Sequence, residues 1–298
     1  MSAPANKLRS VLPQLESSLK AFQSSRSTFR VVKSINPSSS APPSPKTLLI
    51  LDSSFNPPSR AHLLLAKTAL HTSFTGEHQP PYRFLLLFST HNADKAPSAA
   101  SFPERLALMT VFAEDLLKDL KNSNQEYTLP SIDIGLTNAP YYTDKSAAIA
   151  DEGASTYPDK PIHIHILGFD TLTRFFAAKY YPKFDPPFSA LNPYFDNGHR
   201  LRVTLRPTEE YGTIEQQKAF IERLGKGEME KDGGKREWAK QIDVVEAGEG
   251  VGVSSTRVRR AAKKGDWEEV GKLCTEGVAE AVQVERIYET DDRGSKMA

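Results

Sequence analysis

A single cysteine, Cys274, serves a chain of 298 residues. It cannot close an internal disulfide and has no neighbouring Cys/His set at zinc spacing, which suits a reducing compartment. Excess charge is missing too, because 38 lysines and arginines face 37 aspartates and glutamates for a formal net charge of +1. With no global field, neither nucleic acid nor a membrane surface is indicated as a partner, and any anion must be met by local groups. No apolar run reaches the roughly 18 residues of a membrane span, and the N-terminus lacks the continuous apolar core of a secretory signal. These absences predict a cytoplasmic protein, with the nucleus and the mitochondrion as alternatives. No nucleophile and base pair is recognisable either, so covalent catalysis is not indicated.

What is present divides the chain into four parts. Residues 1–35 are expected to form an N-terminal amphipathic helix, with Leu8, Val11, Leu15, Leu19 and Phe22 at helical spacing and, over residues 1–30, five basic side chains against Glu16. The basic character is also that of a mitochondrial targeting helix, which Pro13 and Glu16 interrupt. Residues 36–46, "NPSSSAPPSPK", read as a Pro/Ser linker; residues 47–290 as the main domain; residues 291–298 as a tail. Within the main domain, apolar runs at 47–52, 82–89, 162–168, 201–206 and 242–247 read as strands, with a weaker one at 127–134. Helical periodicity separates them over 60–74, 102–120 and 171–181. Strands apolar on both faces and alternating with helices predict an α/β fold, a Rossmann-like doubly wound parallel sheet. The charged, glycine-containing stretch 223–240 reads as a surface insertion or flap, and His163 and His165, which have no carboxylate or thiol partner nearby, read as structural.

In such sheets ligands bind beyond the carboxyl ends of the strands. After the first strand comes "SSFNPPSRAH". Pro57 and Pro58 impose a non-helical turn, Ser59 suits a helix cap, and His62 then projects from the first turn, where free N–H groups and the helix dipole favour a phosphate. After the last strand comes "GVSSTRVRRAAKKGD", where Ser254, Ser255 and Thr256 open a helix that carries Arg257, Arg259 and Arg260 in its first turns. Taken singly, each motif is equally well a capped surface helix.

Taken together, "SFNPPSRAHL" and "VSSTRVRRA", about 190 residues apart, resemble the two signature motifs of the nicotinamide mononucleotide adenylyltransferases, of the nucleotidyltransferase superfamily. "FSTHNADKA", "APYYTDKS" and "ILGFDTL" are similar to looser landmarks of the same family, in family order. The extra N-terminal helix is similar to that of a divergent fungal-type branch. The resemblance implies a nucleotidyltransferase-type fold and the reaction of ATP with nicotinamide mononucleotide to give NAD and pyrophosphate. It implies His62 and Arg259 as catalytic residues. It implies ATP contacts from Ser54, Phe55, His62, Gly168, Asp170, Ser255, Thr256, Arg257 and Arg259. For the mononucleotide it implies Ser54, Phe55, Lys95, Tyr142, Thr143 and Tyr181. Mg²⁺ would be held mostly by ATP and water, without a dedicated protein metal site, and a homo-oligomer stays open.

Three departures stand out. Ser53 replaces the family's glycine before Ser-Phe-Asn-Pro and is expected to narrow the phosphate pocket; no tryptophan stands in the third loop to stack on the base, leaving Tyr141 or Tyr142; and "GEGVGV" replaces the asparagine before Ser-Ser-Thr. Two alternatives follow. One is a sister nucleotidyltransferase acting on another phosphorylated acceptor; the other is a nucleotide-binding regulatory protein whose catalysis has decayed.

Overall fold

The computed structural model describes residues 3–39, 42–90, 100–207, 210–246 and 252–289. Its strands are β1 (Phe29–Ile35), β2 (Thr47–Asp52), β3 (Tyr82–Ser89), β4 (Ser131–Thr137), β5 (Ile162–Gly168), β6 (Arg200–Leu205) and β7 (Ile242–Glu246). Its helices are α1 (Ala3–Gln23), α2 (Arg60–Leu70), α3 (Thr72–Thr75), α4 (Phe102–Lys121), α5 (Tyr142–Glu152), α6 (Phe169–Phe175), α7 (Asn192–Asp196), α8 (Ile214–Gly225), α9 (Ser255–Lys263), α10 (Trp267–Leu273) and α11 (Glu276–Val284). The strands form one sheet in the order β1-β4-β3-β2-β5-β6-β7, parallel throughout except that β1 runs antiparallel to β4. The doubly wound α/β expectation holds. Strand β2 shows why: Leu49 and Leu51 pack into the core on one face, and Leu48 and Ile50 into the core on the other.

The order of the strands turns around at β2. Going outward from it, the chain adds β3 and β4 on one side and β5, β6 and β7 on the other. The crevice between the ends of β2 and β5 is therefore the topological switch point, where open α/β sheets bind their ligands.

The N-terminal segment corrects one expectation. Its helix ends at Gln23, and Phe29–Ile35 joins the main sheet as the edge strand, so residues 1–35 are not a helix alone. "FRVVKSI" lacks helical spacing, and Glu152 accepts the Thr28 and Phe29 backbone N–H groups and so pins the start of the strand. Helix α1 also runs through Pro13. Its Leu8, Val11, Leu15, Leu19 and Phe22 are buried against α4 and α11. At ~1.5–3 kcal/mol for each buried side chain, that face outweighs the ~3 kcal/mol an interior proline costs.

Elsewhere the boundaries shift. The weak strand begins at Ser131 and continues to Thr137, because Pro130 cannot donate to the ladder. The helix at 60–74 breaks at His71, and the one at 171–181 starts earlier, at Phe169, and ends at Phe175. The stretch 223–240 is no surface flap. Leu224 and Trp238 are buried, and the indole stacks on Phe195 with centroids 4.7 Å apart, within an aromatic core that flanks β5 to β7. Its charges, including the Arg236–Glu230 pair at 2.6 Å, lie on the outer side and hid the anchor in the sequence.

Candidate active site

The loop between β2 and α2 is held by its carbonyls. Arg105 of α4 donates to Ser54 O through Nε at 2.9 Å and also through a terminal nitrogen. Arg259 of α9 donates to Asn56 O at 2.7 Å, the Ser255 hydroxyl to Pro57 O at 2.8 Å, and the Cys274 thiol to Pro58 O at 3.5 Å. The Tyr288 hydroxyl donates to the Asn56 side-chain oxygen at 2.9 Å. Donors from α4, α9 and the C-terminal region thus converge on one turn. Together they hold Phe55 at φ 41, in the left-handed region, a conformation that costs a residue without a special backbone preference ~1–3 kcal/mol.

His62 is the third residue of α2, and Ser59 is its N-cap. The Ser59 backbone N–H donates to His62 Nδ1 at 3.0 Å, so Nδ1 carries no proton and the neutral ring bears its hydrogen on Nε2. Nε2 lies 2.9 Å from the Ser53 hydroxyl. Phe55, itself fully buried, supports the imidazole with ring centroids 5.0 Å apart. Burial lowers the His62 pKa to about 4, so the ring is neutral at physiological pH and offers a hydrogen bond rather than a charge.

Helix α9 begins beside this loop. Ser254 is its N-cap and accepts from the Arg257 backbone N–H at 3.2 Å. Ser255 and Arg259 reach back to the loop as described, and Arg259 also donates to the Thr256 hydroxyl at 3.1 Å. Arg257 is directed elsewhere: it is exposed and pairs with Glu269 of α10 at 2.5 Å. Gly168 ends β5 on the other side of the crevice and caps α6. A side chain there would collide with the Asp170 carboxylate at 2.6 Å, so the glycine lets Asp170 fold over the strand end, where Arg206 stands 3.9 Å away.

The structure therefore gathers Ser53, Ser54, Phe55, His62, Ser255 and Arg259 into one contact network, with Gly168 and Asp170 at the adjoining strand end. The Phe55 side chain is enclosed, which leaves only its backbone to face a ligand. At the start of α5, Tyr142 is partly buried, edge-on to His165 at 5.0 Å, and Thr143 beside it is partly buried. Tyr181 is buried and donates its hydroxyl to Phe175 O at 2.8 Å, whereas Tyr141, 5.9 Å from it, is exposed. Lys95 lies outside the described residues.

Three contributors escaped the sequence reading. Arg105 sits within the apolar pattern of α4, its guanidinium 4.6 Å from the Phe88 ring and 5.2 Å from the Phe102 ring; a cation on the buried stripe of a helix is the signal it left. Tyr288 left none. Lys145 forms a buried ion pair with Asp52, the last residue of β2, and ties the start of α5 to the site.

No family model matches the chain. Over 247 residues it is 28% identical to a curated Schizosaccharomyces pombe protein named "Putative nicotinamide mononucleotide adenylyltransferase", which covers 82% of this chain and 87% of that protein. Among solved structures, Plasmodium falciparum nicotinic acid mononucleotide adenylyltransferase complexed with APC superposes with a TM-score of 0.47 at 12% identity, covering 83% of this chain and 98% of the other.

Proposed function

We propose that the protein is a nucleotidyltransferase that moves the adenylyl group of ATP to the 5'-phosphate of nicotinamide mononucleotide, giving NAD and pyrophosphate. The observation that carries this reading is the meeting of two helix starts at the switch point: Ser255 and Arg259 of α9 bond to the loop that delivers His62 at the start of α2. The S. pombe relative, similar over most of both chains, supports the choice of reaction.

The chemistry suits the groups present. The attacking phosphate is already an anion, so no general base or covalent intermediate is needed and the work is positioning and charge stabilisation. The bond from the acceptor oxygen to the α-phosphorus forms as the bond to the pyrophosphate oxygen breaks. Neutral donors at the α2 start meet the α-phosphate, while the first turn of α9, with Thr256 and Arg259, faces the departing β- and γ-phosphates. By the sequence resemblance, the mononucleotide phosphate is assigned to Lys95 and the base to Tyr142 and Thr143. Among the described residues, no group of three or more His, Cys, Asp or Glu could hold a metal ion. In this reading Mg²⁺ would enter as part of the substrate Mg–ATP, held mostly by ATP and water.

The test is incubation of the purified chain with ATP, Mg²⁺ and a panel of mononucleotides, with NAD and pyrophosphate as readouts. NAD from nicotinamide mononucleotide is the expected result. Product only from another phosphorylated acceptor would identify a sister enzyme, and ATP binding without transfer a regulatory protein.

A further inference from the structure

The geometry points to Ser53 as the phosphate donor through which His62 acts, a serine that extends the imidazole's hydrogen bond instead of blocking it. The inference rests on the nucleotide-phosphate reading of this site and concerns the position where the loop departs from the family's glycine. His62 has its two nitrogens committed: Nδ1 receives the Ser59 backbone N–H at 3.0 Å, and Nε2–H is aimed at the Ser53 oxygen at 2.9 Å. The Ser59 hydroxyl lies 3.1 Å from the same Nδ1 and further restrains the ring. His62 is only 9% exposed, whereas Ser53, at the end of β2 where the crevice opens, is less deeply buried. The hydroxyl is thus the outer member of the pair.

Having accepted a hydrogen bond from Nε2–H, the Ser53 oxygen still carries its own proton, and among the described residues that proton has no acceptor. A hydroxyl that accepts such a bond becomes a better donor, because aligned hydrogen bonds polarise one another. Its position is fixed from the backbone side as well, since the Ser53 N–H continues the strand pairing to Leu87 O at 3.3 Å. With the Ser59 N–H on Nδ1, the chain Ser59 N–H, His62, Ser53 O–H runs one way only and ends on the proton of a partly exposed hydroxyl. Ser53 is then a direct phosphate contact and His62 the group that orients and strengthens it.

A relay and an obstruction predict opposite signs. Binding of ATP and of inorganic tripolyphosphate is measured by titration calorimetry for the native chain, Ser53→Ala, Ser53→Thr, His62→Ala and the double variant. Loss of a hydrogen bond to a charged group lowers affinity about tenfold, so Ser53→Ala and His62→Ala are each expected to weaken both ligands by that factor. The double variant should be no weaker than either single one, and Ser53→Thr, which keeps the hydroxyl, should retain most of the affinity. Histidine side-chain ¹⁵N spectra of Ser53→Ala should still show His62 neutral and protonated on Nε2, which separates loss of the hydroxyl from loss of the ring's orientation. Equal or tighter binding by Ser53→Ala, additive losses in the double variant, or absence of binding by the native chain would each overturn the relay. Coupled losses in a protein that transfers nothing to nicotinamide mononucleotide would count against the proposed reaction alone.

Discussion

One buried histidine lies in the first turn of α2, beside the end of β2, and three others lie in and beside β5, and they differ in what their nitrogens face. In the first turn of α2, His62 has a backbone donor on Nδ1 and the Ser53 hydroxyl on Nε2. In the middle of β5, His165 shows the opposite tautomer: the Tyr194 hydroxyl donates to Arg200 O, so its oxygen accepts from His165 Nδ1–H at 3.0 Å, and Nε2 is buried with no partner among the described residues. His163 stacks on His199 with centroids 4.3 Å apart. Burial lowers the pKa in both groups, to about 4 for His62 and for His199, and well below the usual range for His163 and His165. A depressed pKa therefore does not distinguish them. The distinction is where the N–H points and what fixes it: the His165 N–H points to the Tyr194 hydroxyl in an aromatic core, and the His62 N–H points to the Ser53 hydroxyl next to the end of β2, beside a loop held by its carbonyls.

The strongest way to break this comparison is His62→Ala. Turnover should fall on the order of 10² to 10³, as when an oriented transition-state donor is lost, because Ser53 loses the imidazole that aims it, and a near-native rate in a pyrophosphate-release assay would remove His62 from the site. Next is Arg105→Ala, which leaves the Ser54 carbonyl without its donor. Unfolding by urea should show a loss of ~2–3 kcal/mol, with turnover falling alongside; an unchanged midpoint would mean that the loop does not depend on that anchor.

The third test addresses the other group by pH. A histidine whose folded pKa lies below its unfolded value near 6.5 binds a proton only when the chain unfolds, so stability is complete above pH 6.5 and is lost as pH falls toward the folded value. His165→Leu removes one such group, and the stability lost between pH 6.5 and 5 should shrink by ~2 kcal/mol, with ATP affinity unchanged. An unaltered acid loss would show that His165 is not held neutral. The smallest effect is expected at Arg257, whose exposed pair with Glu269 contributes ~0–1 kcal/mol. Arg257→Ala should alter ATP affinity less than threefold, and a larger change would bring Arg257 into the ligand contacts beside Arg259.

Much of the frame was legible because it follows from local periodicity. The apolar runs of β2, β3 and β5 are found where expected, and Ser59 and Ser254 cap α2 and α9. The segments that escaped are those whose role depends on distant partners. Phe29–Ile35 becomes a strand because β4 offers an edge, and Trp238 becomes core because Phe195 is there to stack on. Ser53 was expected to narrow the phosphate pocket; its bond to His62 could not be read from residues nine positions apart across a turn.

By itself the sequence determined the alternating strands and helices and the two serine-capped helix starts, since these depend on residues within a few positions of one another. Only the tertiary structure decided that the two starts share one crevice, that Arg105 and Arg259 hold the loop, and which nitrogen of His62 carries the proton. The loop is held by hydrogen bonds between residues about 50 to more than 200 positions apart, and the His62 tautomer by the short-range bonds to Ser59 and Ser53 that this held turn aligns.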